Sequence, residues 1–153
     1  AIQRTNRRVL HKLRPVGLAE LGLSASLKGI VAMWRKDHSD IDVRLSLGPD
    51  IDNVDDTVAL TVHRVVQEGL TNIFRHAKAS RVDIAVARED AARPGIRITV
   101  RDDGVGLADD RTDGFGLTGM RERVWALGGA VTIANATGGG ALLEALIPAT
   151  RAE

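Results

Sequence analysis

Apolar residues along this chain recur at two spacings, and the switches between them lay out the elements. Ala1–Arg14 is basic, with Ile2, Val9, Leu10 and Leu13 at helical positions, and Pro15 ends it because proline disfavours the helical conformation in the residue before it. Leu21, Leu27, Ile30, Val31 and Trp34 predict a second helix over Leu18–Asp37, with Ser24 as an N-cap within it. Val43, Leu45 and Leu47 alternate, so Asp42–Leu47 reads as a strand, and Gly48-Pro49-Asp50 as a turn. A long helix spans Asp55–Ala77, starting near Asp55 or Asp56, with Val62, Val65, Val66, Gly69, Ile73 and Ala77 mostly on one side. Val82–Arg88 and Ile96–Arg101 alternate again and form a hairpin around Ala91–Gly95. A polar loop, Leu107–Gly114, leads to a short helix over Leu117–Leu127, which Gly128-Gly129 closes. Two last strands, Val131–Ala134 and Ala141–Ile147, flank the turn Thr137–Gly140. The expected fold is α/β: a two-layer sandwich with a mixed, mostly antiparallel sheet of about five strands and three helices on one face.

Composition narrows the functions open to such a fold. The 153 residues fit one domain, and 44% hydrophobic with 27% charged residues is ordinary for a soluble globular chain. A net charge of +1 provides no electrostatic footprint for nucleic acid. Aromatics at 3%, with no Tyr, give no stacking platform for single strands. The absence of Cys excludes disulfides and thiolate metal sites and suits a cytoplasmic location. No apolar run is long enough to span a bilayer, and no signal-peptide pattern is present, so no membrane contact is expected. The first residue is Ala1 rather than Met, which suggests a piece of a longer protein.

Candidate chemistry concentrates in three places. On the long helix, Glu68, Asn72 and His76 stand four residues apart and share one face. A carboxylate–amide–imidazole row suits a metal–phosphate site, and alone it equally fits a solvated polar face. Directly after a strand comes Asp102-Asp103-Gly104-Val105-Gly106. Its glycines permit close backbone approach, and a carboxylate there can accept a hydrogen bond from an exocyclic amine such as adenine's; an acidic β-turn is the plain alternative. Gly114-Phe115-Gly116-Leu117-Thr118-Gly119-Met120 opens a helix, where free backbone N–H groups favour anions. It matches the dinucleotide pattern G-x-G-x-x-G, but a polar loop precedes it and no acidic residue follows about 20 positions on, which argues against that fold. No Walker A lysine motif occurs. Thr137-Gly138-Gly139-Gly140-Ala141 reads as a plain hairpin turn.

Taken in order, these motifs resemble the GHKL ATPases, the Bergerat-fold family of gyrase and the sensor histidine kinases. The stretches QEGLTNIFRHAKAS, DDGVGL and GFGLTGMRERV look like the catalytic domain of two-component histidine kinases, and specifically the short-lid subfamily that pairs with helix-turn-helix response regulators. LRPVGLAELGL resembles that subfamily's link to the dimerisation helices, and the likeness covers roughly Leu13 to Pro148. It implies that residues 1–14 end a dimerisation helix and that 15–153 form the ATP-binding domain. It implies Asn72 as a Mg²⁺ ligand and Glu68 as the residue that orients or activates the attacking group or a metal-bound water. Arg75 and His76 then lie near the phosphates, and Lys78 either joins them or stays on the surface. Asp102 reads the adenine amine, Gly104 and Gly106 let the base approach, and Gly114, Gly116, Leu117, Thr118 and Gly119 close over the triphosphate. Arg121 and Arg123 fit either phosphate contacts or surface ion pairs. Implied partners are ATP or ADP, the dimerisation and phosphoacceptor domain of the same kinase, and a downstream response regulator.

Two departures matter. The resemblance calls for an acceptor histidine followed by an acidic residue, but His11 precedes Lys12, His38 precedes Ser39, His63 precedes Arg64, and His76 belongs to the nucleotide helix. The chain is therefore expected to bind ATP without phosphorylating itself on histidine. Gly140-Ala141 stands where the last glycine motif often carries threonine. A non-catalytic GHKL regulatory module and a GHKL ATP hydrolase are the competing expectations.

Overall fold

The computed structural model describes residues 18–76, 78–90, 93–106 and 115–149. Helix α1 spans Leu18–Asp37, followed by strand β1 (Asp42–Leu47) and helix α2 (Asp56–His76). The hairpin strands are β2 (Arg81–Glu89) and β3 (Gly95–Asp102); then come helix α3 (Phe115–Ala126), β4 (Ala130–Asn135) and β5 (Ala141–Pro148). The expected dimerisation-helix remnant over residues 1–14 and the loop Leu107–Gly114 lie outside the described residues.

The five strands form one sheet in the order β1-β2-β3-β5-β4. β1 pairs with β2 in parallel, and every other pairing is antiparallel. The parallel pair is the β1–α2–β2 crossover, which lays α2 across the sheet. Buried residues alternate along the inner strands: Val82, Ile84 and Val86 on β2, Ile96, Ile98 and Val100 on β3, Leu143, Ala145 and Ile147 on β5. Val62, Val65, Val66, Leu70 and Ile73 of α2 meet them from the helical layer, with Leu117, Met120 and Val124 of α3 beside them.

Local chemistry starts and stops the helices. Asp55 Oδ1 accepts the Val58 N–H at 2.8 Å, so Asp55 is the N-cap of α2. At the end of α3, Gly129 N–H reaches Val124 O at 3.0 Å and Gly128 N–H reaches Trp125 O at 2.8 Å, the paired bonds of a Schellman ending.

α1 departs from its expected single period. Gly22 sits at φ 88°, ψ 174° and breaks the helix. The Ser24 N–H beyond the break donates to Asp52 Oδ1 at 2.7 Å, so the capping carboxylate comes from the β1–α2 loop and not from Ser24 itself. The break also changes the phase: Leu21, expected in the core, is 70% exposed, whereas Leu23 and Leu27 are buried. Trp125 likewise faces solvent, 79% exposed, while Trp34 packs against the core.

Between α1 and α2 lies a buried polar pair. Ser26 Oγ and His63 Nδ1 share a short hydrogen bond, and both residues are buried. Burial first, and the neighbouring Arg64 second, pull the His63 imidazole down to about 4. Burial and the nearby Arg123 also lower the Arg64 guanidinium from its ordinary value. On the far side of the sheet's end, Arg88 donates to Asn53 O at 2.5 Å and Asp50 O at 3.2 Å, tying the β1–α2 loop to β2.

Candidate functional site

Strand directions decide which motifs meet. α2 runs opposite to β1 and β2 because it connects two parallel neighbours, and β3 is antiparallel to β2. α2 and β3 therefore point the same way. Gly69 lies against Val100, where a Cβ on the glycine would stand 3.3 Å from Val100 Cγ2. Asn72 is three residues past Gly69, about 4.5 Å along the helix. Asp102 is two past Val100, about 6.6 Å along the strand. Both consequently sit at one end of the sandwich.

Two further segments reach the same end. β5 opens there, since Arg101 pairs with Leu142, so the β4–β5 turn is beside Asp102. α3 finishes at the opposite end, where Gly128 approaches Pro148 and Gly129 the Ile147 backbone. Its first turn, carrying Gly116, Leu117, Thr118 and Gly119, is then at the Asp102 end.

The two adjacent aspartates do different work. Asp103 is exposed, and its carboxylate accepts Ser80 N–H at 2.8 Å, Arg81 N–H at 2.9 Å and Ser80 Oγ–H at 2.6 Å. The Ser80 hydroxyl, and then the Arg81 backbone N–H, hold this carboxyl below the usual carboxylate range. Asp103 is thus a strut that pins the start of β2 to the end of β3. Asp102 is 4% exposed. Its Oδ1 accepts Gly104 N–H at 2.8 Å and Ala141 N–H at 3.4 Å, bonds that fix the carboxylate without using Oδ2. Gly106 takes φ 78°, which turns the loop away after the strand.

On α2, Glu68 and Asn72 are half-buried, one turn apart. The Asn72 amide nitrogen is buried without a hydrogen-bond partner among the described residues. A buried amide left open is costly unless something beyond the described residues completes it. The amide oxygen of Asn72 is a hard donor. Among the described residues no group of three or more His, Asp or Glu gathers into a metal cage. One amide oxygen instead fits a small cation that takes few protein ligands and completes its shell with phosphates and water, as Mg²⁺ does.

The remaining predicted positions divide. Arg75 and His76 belong to the last turn of α2, but their side chains lie outside the described residues, as does Gly114 altogether. Lys78 is exposed, at φ 48°. Leu117 turns its side chain into the core, 3% exposed, so only its backbone is available to a ligand. Thr118 is exposed and Gly119 half-buried on the same turn. Gly140 and Ala141, placed by the resemblance in the last glycine motif, press on Asp102, a contact that the plain-turn reading of the pattern does not show. The signal was a run of three glycines, more than a hairpin turn requires.

Comparison with known proteins fits this geometry. Residues 57–151 match the family described as histidine kinase-, DNA gyrase B-, and HSP90-like ATPase. The chain is similar to the signal transduction histidine-protein kinase/phosphatase UhpB of Salmonella typhimurium, at 38% identity over 83% of this chain and 25% of that protein. It is also similar to the sensor histidine kinase LiaS of Bacillus subtilis, at 32% identity over 95% of this chain and 39% of that protein. The chain thus spans between a quarter and two fifths of the length of these curated relatives. The solved histidine kinase domain of the Erythrobacter litoralis blue-light activated histidine kinase superposes with a TM-score of 0.67 at 26% identity, covering 82% of this chain and 60% of that one. No helix among the described residues is long and apolar enough to cross a membrane.

Proposed function

Since the chain belongs to the histidine kinase-, DNA gyrase B-, and HSP90-like ATPase family, we propose that it is the ATP-binding catalytic domain of a two-component sensor histidine kinase. In this reading it acts in the cytoplasm and directs the γ-phosphoryl group of ATP to a histidine outside this chain, on the dimerisation domain of the same kinase. A response regulator receives the group afterwards. The observation that carries the reading is the pairing, at one end of the sandwich, of a backbone-fixed buried carboxylate with an unsatisfied buried amide.

Each residue then has a bounded task. Asp102 accepts a hydrogen bond from the adenine amine through Oδ2, while Gly104 and Gly106 leave room for the base. Asn72 holds Mg²⁺, which when bound neutralises charge on the phosphates. Glu68, one turn earlier, orients the attacking group or takes its proton. Arg75, His76 and Lys78 are assigned to the phosphates. Gly114, Gly116, Leu117, Thr118 and Gly119 bring backbone N–H groups of the α3 start to the triphosphate. Positioning and charge neutralisation carry most of phosphoryl transfer, so this set is sufficient.

γ-Labelled ATP, the chain and a separately purified dimerisation domain test the reading. Base-stable, acid-labile phosphate on the dimerisation domain alone is expected. Sustained ATP hydrolysis without transfer would instead support a hydrolase, and binding without either reaction a regulatory module.

A further inference from the structure

The sheet ends on one side at β1 and on the other at β4, and the two edges differ. β1 carries Asp42 and Arg44, whose exposed side chains form an ion pair at 3.0 Å. Charges of this kind keep another strand from adding to an edge. β4 reads AVTIAN, six residues without a charge or a proline. Among the described residues nothing pairs with its outer side. Ala136 N–H bonds Gly140 O, one step past the last ladder pair, Asn135 with Ala141. Antiparallel ladders alternate, so Ala130, Thr132 and Ala134 turn their backbone N–H and C=O groups to β5, whereas Val131 and Ile133 turn theirs outward. An aromatic ring stands beside this edge. Arg123 of α3 shares a groove with Arg64 of α2, and Val124 points into the core. Trp125 is about 100° further round the helix, on the flank away from α2. Because α2 packs on β3 and β5, and α3 on β4 and β5, that flank lies on the β4 side. There Trp125 is 79% exposed.

We propose that the β4 edge and Trp125 form a docking surface for a second copy of this chain, the two β4 strands pairing antiparallel about a two-fold axis through Thr132. Opposite residues of an antiparallel pair share a face of the sheet, so the axis passes through a residue and not between two. At Thr132 it sets Val131 of each copy against Ile133 of the other, the residues whose backbone groups face outward. It also sets Ala130 against Ala134, and Thr132 against its own counterpart in the closer, non-hydrogen-bonded kind of pair. β-Branched and Thr–Thr pairs are favourable across strands. Moved to Ile133, the axis would set Val131 against Asn135, an apolar side chain against an amide. The occupant is a second copy because the strand matches itself. No like charges meet, and a charged foreign strand would find no counter-charge on β4. Trp125 of each copy then covers the far end of its partner's β4, which takes the indole out of water.

Sedimentation equilibrium of the whole chain over a concentration series tests this, without nucleotide. The wild type should be half-associated at roughly 0.1 mM, as suits a contact smaller than a standard interface. Thr132 is exposed, so a charge there leaves the monomer folded. Thr132→Lys sets two ammonium groups opposite each other and should weaken association at least about tenfold. Thr132→Glu should do the same with two carboxylates. An equimolar mixture of the two variants places Lys opposite Glu and should associate at least as well as the wild type. Ser46→Lys puts the same charge on the exposed face of β1, at the other edge, and should leave association unchanged. Tryptophan emission gives a second readout, because Trp34 already packs against the core and Trp125 does not. Emission should shift to the blue as the wild type is concentrated, and should not shift in Thr132→Lys. A wild type that stays monomeric at about 1 mM overturns the inference. So does association that Thr132→Lys leaves intact or that Ser46→Lys weakens equally, and so does a mixture no tighter than either variant alone.

Discussion

The seam between α1 and α2 and the end of β3 both bury polar side chains, but among the described residues only the seam pairs them with each other. Ser26 and His63 bond each other. At the end of β3, backbone N–H groups fix one oxygen of Asp102, and the Asn72 amide nitrogen has no partner among the described residues. Burial of polar groups is costly in both places. Where the described residues supply both partners the result is scaffold, and where they supply half, the proposed function assigns the other half to a ligand. Arg88 marks the boundary of this rule. Its Nη1 is also buried without a partner among the described residues, yet its other nitrogens bond the Asp50 and Asn53 carbonyls, so the group is anchored.

Substitutions can break the contrast from either side. The largest effect is expected for Asp102→Ala, which should weaken ATP binding at least about 100-fold, roughly 3 kcal/mol, with the fold retained by circular dichroism.

Acid should act on the seam. The folded chain holds the His63 imidazole at about 4 against an ordinary 6.5, so it binds fewer protons than the unfolded chain between those values. Stability is complete above about pH 6.5 and is lost as pH falls toward 4, by about 2 kcal/mol once relaxation around the ring is allowed for. Denaturant melts across that range should show the slope, and His63→Gln should flatten it. A slope unchanged in His63→Gln would remove His63 as its cause.

Ser26→Ala leaves the buried imidazole without its partner and should cost about 1 kcal/mol of stability. ATP affinity should not change, which a nucleotide titration of the same variant checks. The smallest effect on stability is expected at Asn72. With its amide nitrogen unpartnered among the described residues, Asn72→Ala should melt within about 0.5 kcal/mol of the wild type in the absence of nucleotide. A loss of several times that size would mean that the amide is part of the scaffold.

Much of the scaffold side of this contrast is legible in the amino-acid sequence. The buried face of α2 is written in Val62, Val65, Val66, Gly69 and Ile73, because helical period and burial coincide there. The period-2 runs of β2, β3 and β5 appear in the expected places for the same reason. Leu21 misleads because a break at Gly22 shifts the phase, and the capping carboxylate that supports the break is 28 residues away on Asp52. The parallel pairing of β1 has no local signature, and the seating of Gly140 on Asp102 shows in the sequence only as a run of three glycines. Each depends on which strand lies next to which, a tertiary fact. Of the site, the aspartate, the amide and the glycines are visible as motifs. Which aspartate is a strut and which is held for a ligand emerges only from their hydrogen-bond partners.

Calorimetric titration of the wild type, Asp102→Ala and Asn72→Ala with ATP, with and without Mg²⁺, tests the placement of the site most directly. The account predicts Mg²⁺-strengthened binding in the wild type, near loss of binding in Asp102→Ala, and binding in Asn72→Ala that no longer responds to Mg²⁺. Wild-type affinity in Asp102→Ala, or an undiminished Mg²⁺ response in Asn72→Ala, would contradict it.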